Sequence, residues 1–278
     1  MILGSFWIAL AIKAAFTACV VVGALAAAEA AGPFWGGLIA SFPISAGPAY
    51  VLLALQHGSR FIAASALESF AINAGTWLFL LVLIRLAPRV RWPWALGGAL
   101  GTWLAAAAVI QALPWTAGTA LALNLLLLGA VLVLTRGHGQ PVGTAPRGVR
   151  RWFDLPLRAL LVATLVTTVV TGSRVLGPRF TGLGAVFPIA FSSLGLLALT
   201  RLGGATTAAL MASALRALPG FALALLVLHL GAMRFGSFPA MGMALGVNAL
   251  WALGVLARRR RAMMSAPALV PVRDMGGR

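Results

Sequence analysis

The chain has 278 residues, of which 61% are hydrophobic and only 9% charged, with a mean hydropathy of +1.00. A soluble domain carries about 25% charged residues, so this chain has too little polar surface for water and reads as an all-α polytopic membrane protein. Its net charge of +17 rests on 21 basic residues, all but one of them arginine, set mostly between apolar stretches; that pattern points to membrane topology and anionic headgroups and away from a nucleic-acid partner.

A hydrocarbon core about 30 Å thick takes about 20 helical residues. Nine spans are expected, at 6–29, 34–55, 61–84, 93–113, 116–135, 156–176, 180–200, 205–229 and 237–257. The first holds Lys13 inside its apolar run rather than ahead of it, which marks a retained span and not a signal peptide. The second contains Pro43 within "GLIASFPI", and the third contains Glu68, the one carboxylate well inside a span. The fourth and fifth are divided only by the turn signal "LPWTAG". The longest polar gap, Arg136 to Asp154, ends in the basic aromatic anchor "RRWFDLPLR". The seventh span holds Pro188 within "GLGAVFPI", and the eighth carries Arg216. The ninth stops at Arg258, Arg259, Arg260 and Arg261, an expected binding site for anionic headgroups, followed by a tail.

The basic residues set an orientation. With nine spans, fifteen of them fall on the side of the C-terminal tail and five on the opposite side. The positive-inside rule then places the C-terminus in the cytoplasm.

An internal repeat organises the spans. Shifting the chain by 145 residues lays 13–44 on 158–189 without a gap, with eleven of 32 positions identical, among them Gly32, Pro33, Gly37, Leu38, Phe42, Pro43 and Ile44. The register resumes where "ASALE" (Ala64 to Glu68) falls on "ASALR" (Ala212 to Arg216). The expected organisation is a first transmembrane repeat over 1–113, a linking helix and basic loop over 114–155, a second repeat over 156–257 and a basic tail over 258–278. Equivalent helices lie five spans apart, and an odd offset reverses direction. The two four-helix copies are therefore expected in inverted topology with one linking helix, a plan common among secondary transporters.

A single copy also resembles the GlpM family, small bacterial inner-membrane proteins of about four spans. The matching residues are Lys13-Ala14, Gly37-Leu38 with Phe42-Pro43, and "WALGGALGTWLAAAAVI" from Trp94; the second copy offers Arg158-Ala159, Gly182-Leu183 and Phe187-Pro188. The resemblance implies a bacterial inner (cytoplasmic) membrane protein that is a tandem, fused form of such a unit. It implies no substrate.

Proline within a helix lacks the N–H donor and clashes with the carbonyl four residues back. Pro43 would free the carbonyl of Ile39, and Pro188 that of Gly184, at a depth of roughly 14 Å in each copy. With Ser41 and Ser45 beside them, these are candidate substrate-binding or gating groups; the other reading is a packing kink. Glu68 and Arg216 occupy equivalent positions with opposite charge, so a Glu68–Arg216 pair is expected near the bilayer centre, either as a static lock or as a gate. Glu29 and Arg174, also equivalent and opposite, fall near helix ends.

No G-x-S-x-G, P-loop, paired-carboxylate or metal-ligand pattern is present, so neither catalysis nor a cofactor is expected. Two readings remain: a secondary transporter or permease for a small molecule or ion, and a non-catalytic scaffold or regulatory subunit of envelope lipid or polysaccharide assembly. The orientation is directly testable. Cysteines introduced at Gly139 and Gly276 should react with an impermeant thiol reagent only after the cells are opened, and labelling of either in intact cells contradicts the nine-span orientation.

Overall fold

A computed structural model describes residues 12, 15–17, 19, 20, 23, 46–137 and 154–264. Their regular structure is entirely helical: α1 (Ala46–Ala54), α2 (Ser59–Leu86), α3 (Trp92–Gln111), α4 (Ala117–Leu134), α5 (Asp154–Ala185), α6 (Ile189–Arg201), α7 (Gly204–Ala214), α8 (Leu218–Phe235) and α9 (Ser237–Met264). Six stretches among these residues are long and apolar enough to cross a membrane: Ser59–Leu86, Trp92–Gln111, Ala117–Leu134, Ala159–Arg201, Leu218–Phe235 and Ser237–Arg258. Exposed leucines and valines cover the outside of α4 and α9, among them Leu125, Leu126, Val133, Leu245 and Leu250. Such a surface suits lipid and not water. Most of the first expected span and most of the second lie outside the described residues.

The bundle is built around α2, which is apolar on nearly every side and buried on nearly every side. Its small polar residues Ser65, Ser69, Asn73 and Thr76 lie at helical spacing, and all four are buried. They mark where backbones approach closely. On one flank Gly75 sits in van der Waals reach of Trp103 and Ala106 of α3. On another, Asn124 of α4 joins the two helices. Its Oδ1 accepts from Asn73 Nδ2 at 3.2 Å and Trp77 Nε1 at 3.0 Å, and its Nδ2 donates to the Phe70 carbonyl at 2.8 Å. α4 itself begins at Thr116, whose side chain and that of Thr119 cap each other's backbone N–H.

α5 is two helices in series. Gly177 has φ 72° and ψ −178°, a region open essentially to glycine alone, and Pro178 restarts a helix with its missing donor at the first turn. The chain doubles back there, so that Gly184 packs on Val169. From Pro178 the chain runs beside α2 in the same direction. Gly182 meets Ser65 to Ser69, and Gly195, beyond a break at Val186–Pro188, meets Leu83.

The continuous span expected over 205–229 is instead two helices, α7 and α8, joined through Leu215–Ala217. Pro219 explains the interruption, since it cannot donate to the Leu215 carbonyl and its ring crowds that position. The joint is closed by short turns from Ser213 to Arg216 and from Ala214 to Ala217. The segment runs antiparallel to α2. Gly204 lies against Ala87, the His229 ring nitrogen Nδ1 donates to the Ala63 carbonyl at 2.8 Å, and the Ser237 hydroxyl donates to Ser59 at 3.2 Å. α9 then returns along α8 and continues as helix past the expected end at 257, through the arginine run.

Candidate functional site

The charged centre of the bundle forms where α2 meets the reversal in α5. Glu68 lies nine residues into α2, about 13 Å from its start. Its Oε1 accepts from Arg179 Nε at 3.3 Å. The Gly177–Pro178 reversal delivers Arg179 to this place, two residues after the glycine. Two further bonds hold the arginine: its Nη2 donates to the Leu113 carbonyl at 3.2 Å, and its own carbonyl accepts from Gln111 Nε2 at 3.2 Å. The pair is asymmetric. The Glu68 side chain is 12% exposed and that of Arg179 52%. The arginine stem spans between the buried acid and the bundle surface, as long cationic side chains do.

The second carboxylate oxygen of Glu68 and the hydroxyl of Ser65, one turn away on the same helix, are both buried without a hydrogen-bond partner among the described residues. Buried polar atoms are ordinarily bonded, so two orphans on one helix face are a notable cost. Beside them the packing is tight. A Cβ on Gly182 would stand 2.6 Å from the Ser65 carbonyl oxygen and 2.8 Å from Glu68 Cβ, so only glycine fits. The Ser69 hydroxyl donates to the Gly182 carbonyl at 2.8 Å, which leaves the Tyr50 hydroxyl to donate to Ser69 at 2.7 Å. α1, α2 and the short helix after Pro178 are thereby tied at one level.

The break at Val186–Pro188 lies one helical turn further on. The Gly184 carbonyl, expected to be freed by Pro188, instead accepts from the Phe187 N–H at 3.3 Å and closes a turn. The Phe187 ring meets Trp103 edge-on at 5.2 Å, which fixes the break against α3. Near the start of α2, His57 stacks on Phe61 at 3.8 Å and its Nε2 bonds the Ser173 hydroxyl at 2.7 Å. Desolvation, and then the nearby Arg174, push its pKa below the usual histidine value.

The expected Glu68–Arg216 pair is not formed. Arg216 sits exposed at the joint between α7 and α8, where the break at Pro219 turns it outward, and its carbonyl accepts from Trp251 Nε1 at 3.0 Å. Arg179 takes its place. Its sequence position, directly after the Gly-Pro pair, reads as a helix end, and nothing in the local pattern reports that the hairpin folds back onto Glu68. Of the other candidates, Pro188 is buried at the start of α6, while Pro43, Ile39, Ser41 and Ser45 lie outside the described residues. Ser65, Ser69, Tyr50 and Gly182 join the site without having been singled out for it. Two grooves open elsewhere on the exterior, one of about 300 Å³ beside Arg85 and Leu134 and one of about 370 Å³ between α8 and α9.

In comparison with known proteins, no family model, no curated protein and no solved structure matches the chain.

The asymmetry of the pair sets the order of three substitutions. Arg179→Gln strands a buried carboxylate and should cost about 3 kcal/mol, the low end for breaking a buried pair, because half of the arginine is already exposed. Glu68→Gln leaves a cation that can reach the surface and should cost about 1 kcal/mol. Arg216→Gln should leave unfolding in detergent almost unchanged, and the Glu68→Gln/Arg179→Gln double variant should recover most of the Arg179→Gln loss. A loss from Arg216→Gln equal to that from Arg179→Gln contradicts the pairing.

Proposed function

We propose that this protein is a secondary-type transporter of the bacterial inner membrane, built from two inverted repeats, with its site where α2 crosses the broken segment from Pro178 to Arg201. The observation that carries the reading is Glu68 itself, a buried acid beside a helix break that has one ion pair, to Arg179, and one carboxylate oxygen without a partner among the described residues. An ionisable group at such depth is costly and is retained where it binds or moves something. Opening of the Glu68–Arg179 contact presents a carboxylate and the Ser65 hydroxyl to a polar small molecule or ion. The helix break supplies the place where the segment can pivot against α2.

Three further features support the architecture. The match of Ala64–Glu68 to Ala212–Arg216 makes α2 and α7–α8 equivalent, and these pack against each other in opposite directions, as a two-fold axis in the membrane plane requires. The doubling back at Gly177 counts the 159–201 stretch as two crossings and α7–α8 as one. That makes seven among the described residues and nine with the two expected before them. Arg85, Arg89, Arg136, Arg201 and Arg258 gather at one end of the bundle, opposite Arg174, Arg179 and Arg234, in keeping with a cytoplasmic C-terminus. The GlpM-like motifs are consistent with this reading, which has no catalytic step.

A scaffold or regulatory subunit for envelope lipid or polysaccharide assembly is the second reading. The close fit of Gly182 on α2, together with apolar grooves facing outward, favours it. Solid-supported membrane electrophysiology on proteoliposomes separates the two. Jumps in concentration of a panel of amino acids, organic anions, sugars and monovalent ions should give a transient current with wild type. That current should vanish in Glu68→Gln, provided the variant retains its thermal stability. Equal currents in both proteins contradict the site, and silence of wild type across the panel favours the scaffold.

A further inference from the structure

The groove between α8 and α9 plays no part in the transport reading. It has a volume of about 370 Å³ and is lined by Leu223, Val247, Leu250, Trp251 and Gly254, with Arg258 at one end. The wall is rigid. Trp251 donates its indole N–H to the Arg216 carbonyl, and a Cβ on Gly220 would stand 2.8 Å from the Trp251 side chain. The floor is open, since a Cβ on Gly254 would meet nothing within 4 Å among the described residues. Along α9 the groove runs from Val247 to Arg258, about 16 Å at 1.5 Å per residue. That is half of a hydrocarbon core about 30 Å thick, and so the depth of one leaflet.

We propose that this groove binds one acyl chain of an anionic phospholipid, with the lipid phosphate on Arg258. The length, the apolar lining and the position of the charge fit together. The chain would lie from the leaflet surface toward the midplane, and the arginine stands at the headgroup end. A guanidinium grips a phosphate through two parallel hydrogen bonds. The anion is favoured over a zwitterion because Arg258 opens a run of four arginines on one helix, at the end of the bundle where the basic residues concentrate. The groove beside Arg85 is a weaker candidate, because that guanidinium already donates to the Leu134 carbonyl. The bound lipid would cement α8 to α9 and brace the α7–α8 joint through Trp251.

The test uses the full chain in detergent, titrated with phosphatidylglycerol or with phosphatidylcholine of the same acyl chains, read by thermal unfolding and by native mass spectrometry. Phosphatidylglycerol should bind wild type at least about fivefold more tightly than phosphatidylcholine, the effect of one basic residue at a charged surface. Arg258→Gln, at an exposed position, should erase that preference and keep the lipid-free melting temperature. Gly254→Leu fills the open floor and should weaken both lipids. Glu68→Gln should keep the preference, which separates this site from the transport site. Equal affinity of wild type for the two lipids overturns the proposal, as does a preference that survives Arg258→Gln. A dimer that Gly254→Leu dissolves, with no lipid preference in wild type, assigns the groove to a second copy of the chain and also overturns it.

Discussion

A carboxylate in hydrocarbon must find a cation or give up its charge, and Glu68 lies on the helix against which α1, α3, α4, α5, α7 and α8 pack. That requirement constrains the rest of the bundle. The cation comes from Arg179, which can reach Glu68 only because the chain reverses at Gly177. The reversal in turn brings Gly182 so close to α2 that a side chain there would strike the Ser65 carbonyl. The hydrogen bonds from Tyr50 to Ser69 and from Ser69 to Gly182 then fix α1 and the returning helix at the same level. The reversal, the glycine contact and the ion pair thus all meet on one face of α2.

The same helix explains how two broken segments coexist in one small bundle. Breaks at Val186–Pro188 and at Leu215–Ala217 lie on segments that flank α2, one running with it and one against it. Backbone groups released within a membrane must be bonded again by neighbours or face a cavity. At the first break Gly184 and Phe187 re-bond each other, and at the second the Arg216 carbonyl takes the Trp251 indole. α2 itself continues for 28 residues without interruption. It therefore serves as the rigid partner against which the broken segments are set.

Much of this was legible in the sequence. Hydropathy located α2, α3 and α4 to within about two residues, because each is bounded by arginine, proline or a turn signal such as "LPWTAG". The Phe-Pro-Ile motif correctly marked a helix break at Pro188. The eighth span was read as one continuous helix because, Arg216 apart, its apolar composition continues through Leu215–Pro219, and hydropathy does not register that a proline ends one helix and starts another. The partner of Glu68 was misread for a related reason. Equivalence in a repeat relates Glu68 to Arg216, but equivalent positions meet only if they lie near the symmetry axis and point toward it. Arg179 replaces an aromatic residue, Phe34, at the matching position of the first copy, so the repeat pattern gave no reason to single it out as the partner of Glu68. Tyr50, Ser65 and Ser69 escaped notice because small polar residues at helical spacing in an apolar span read as ordinary packing and do not report which neighbour they meet.

The central claim is that the two halves pack through α2 and α7–α8 in opposite directions, and proximity of the ends tests it most directly. With Cys19 replaced, the double variant Ser59→Cys/Ser237→Cys should form an intramolecular disulfide in native membranes, because the two hydroxyls stand 3.2 Å apart. A cysteine pair at Ser59 and Leu202, which lie at opposite ends of α2, should not cross-link. Oxidation of the Ser59–Leu202 pair, with none of the Ser59–Ser237 pair, would mean that the halves run in parallel and would contradict the account.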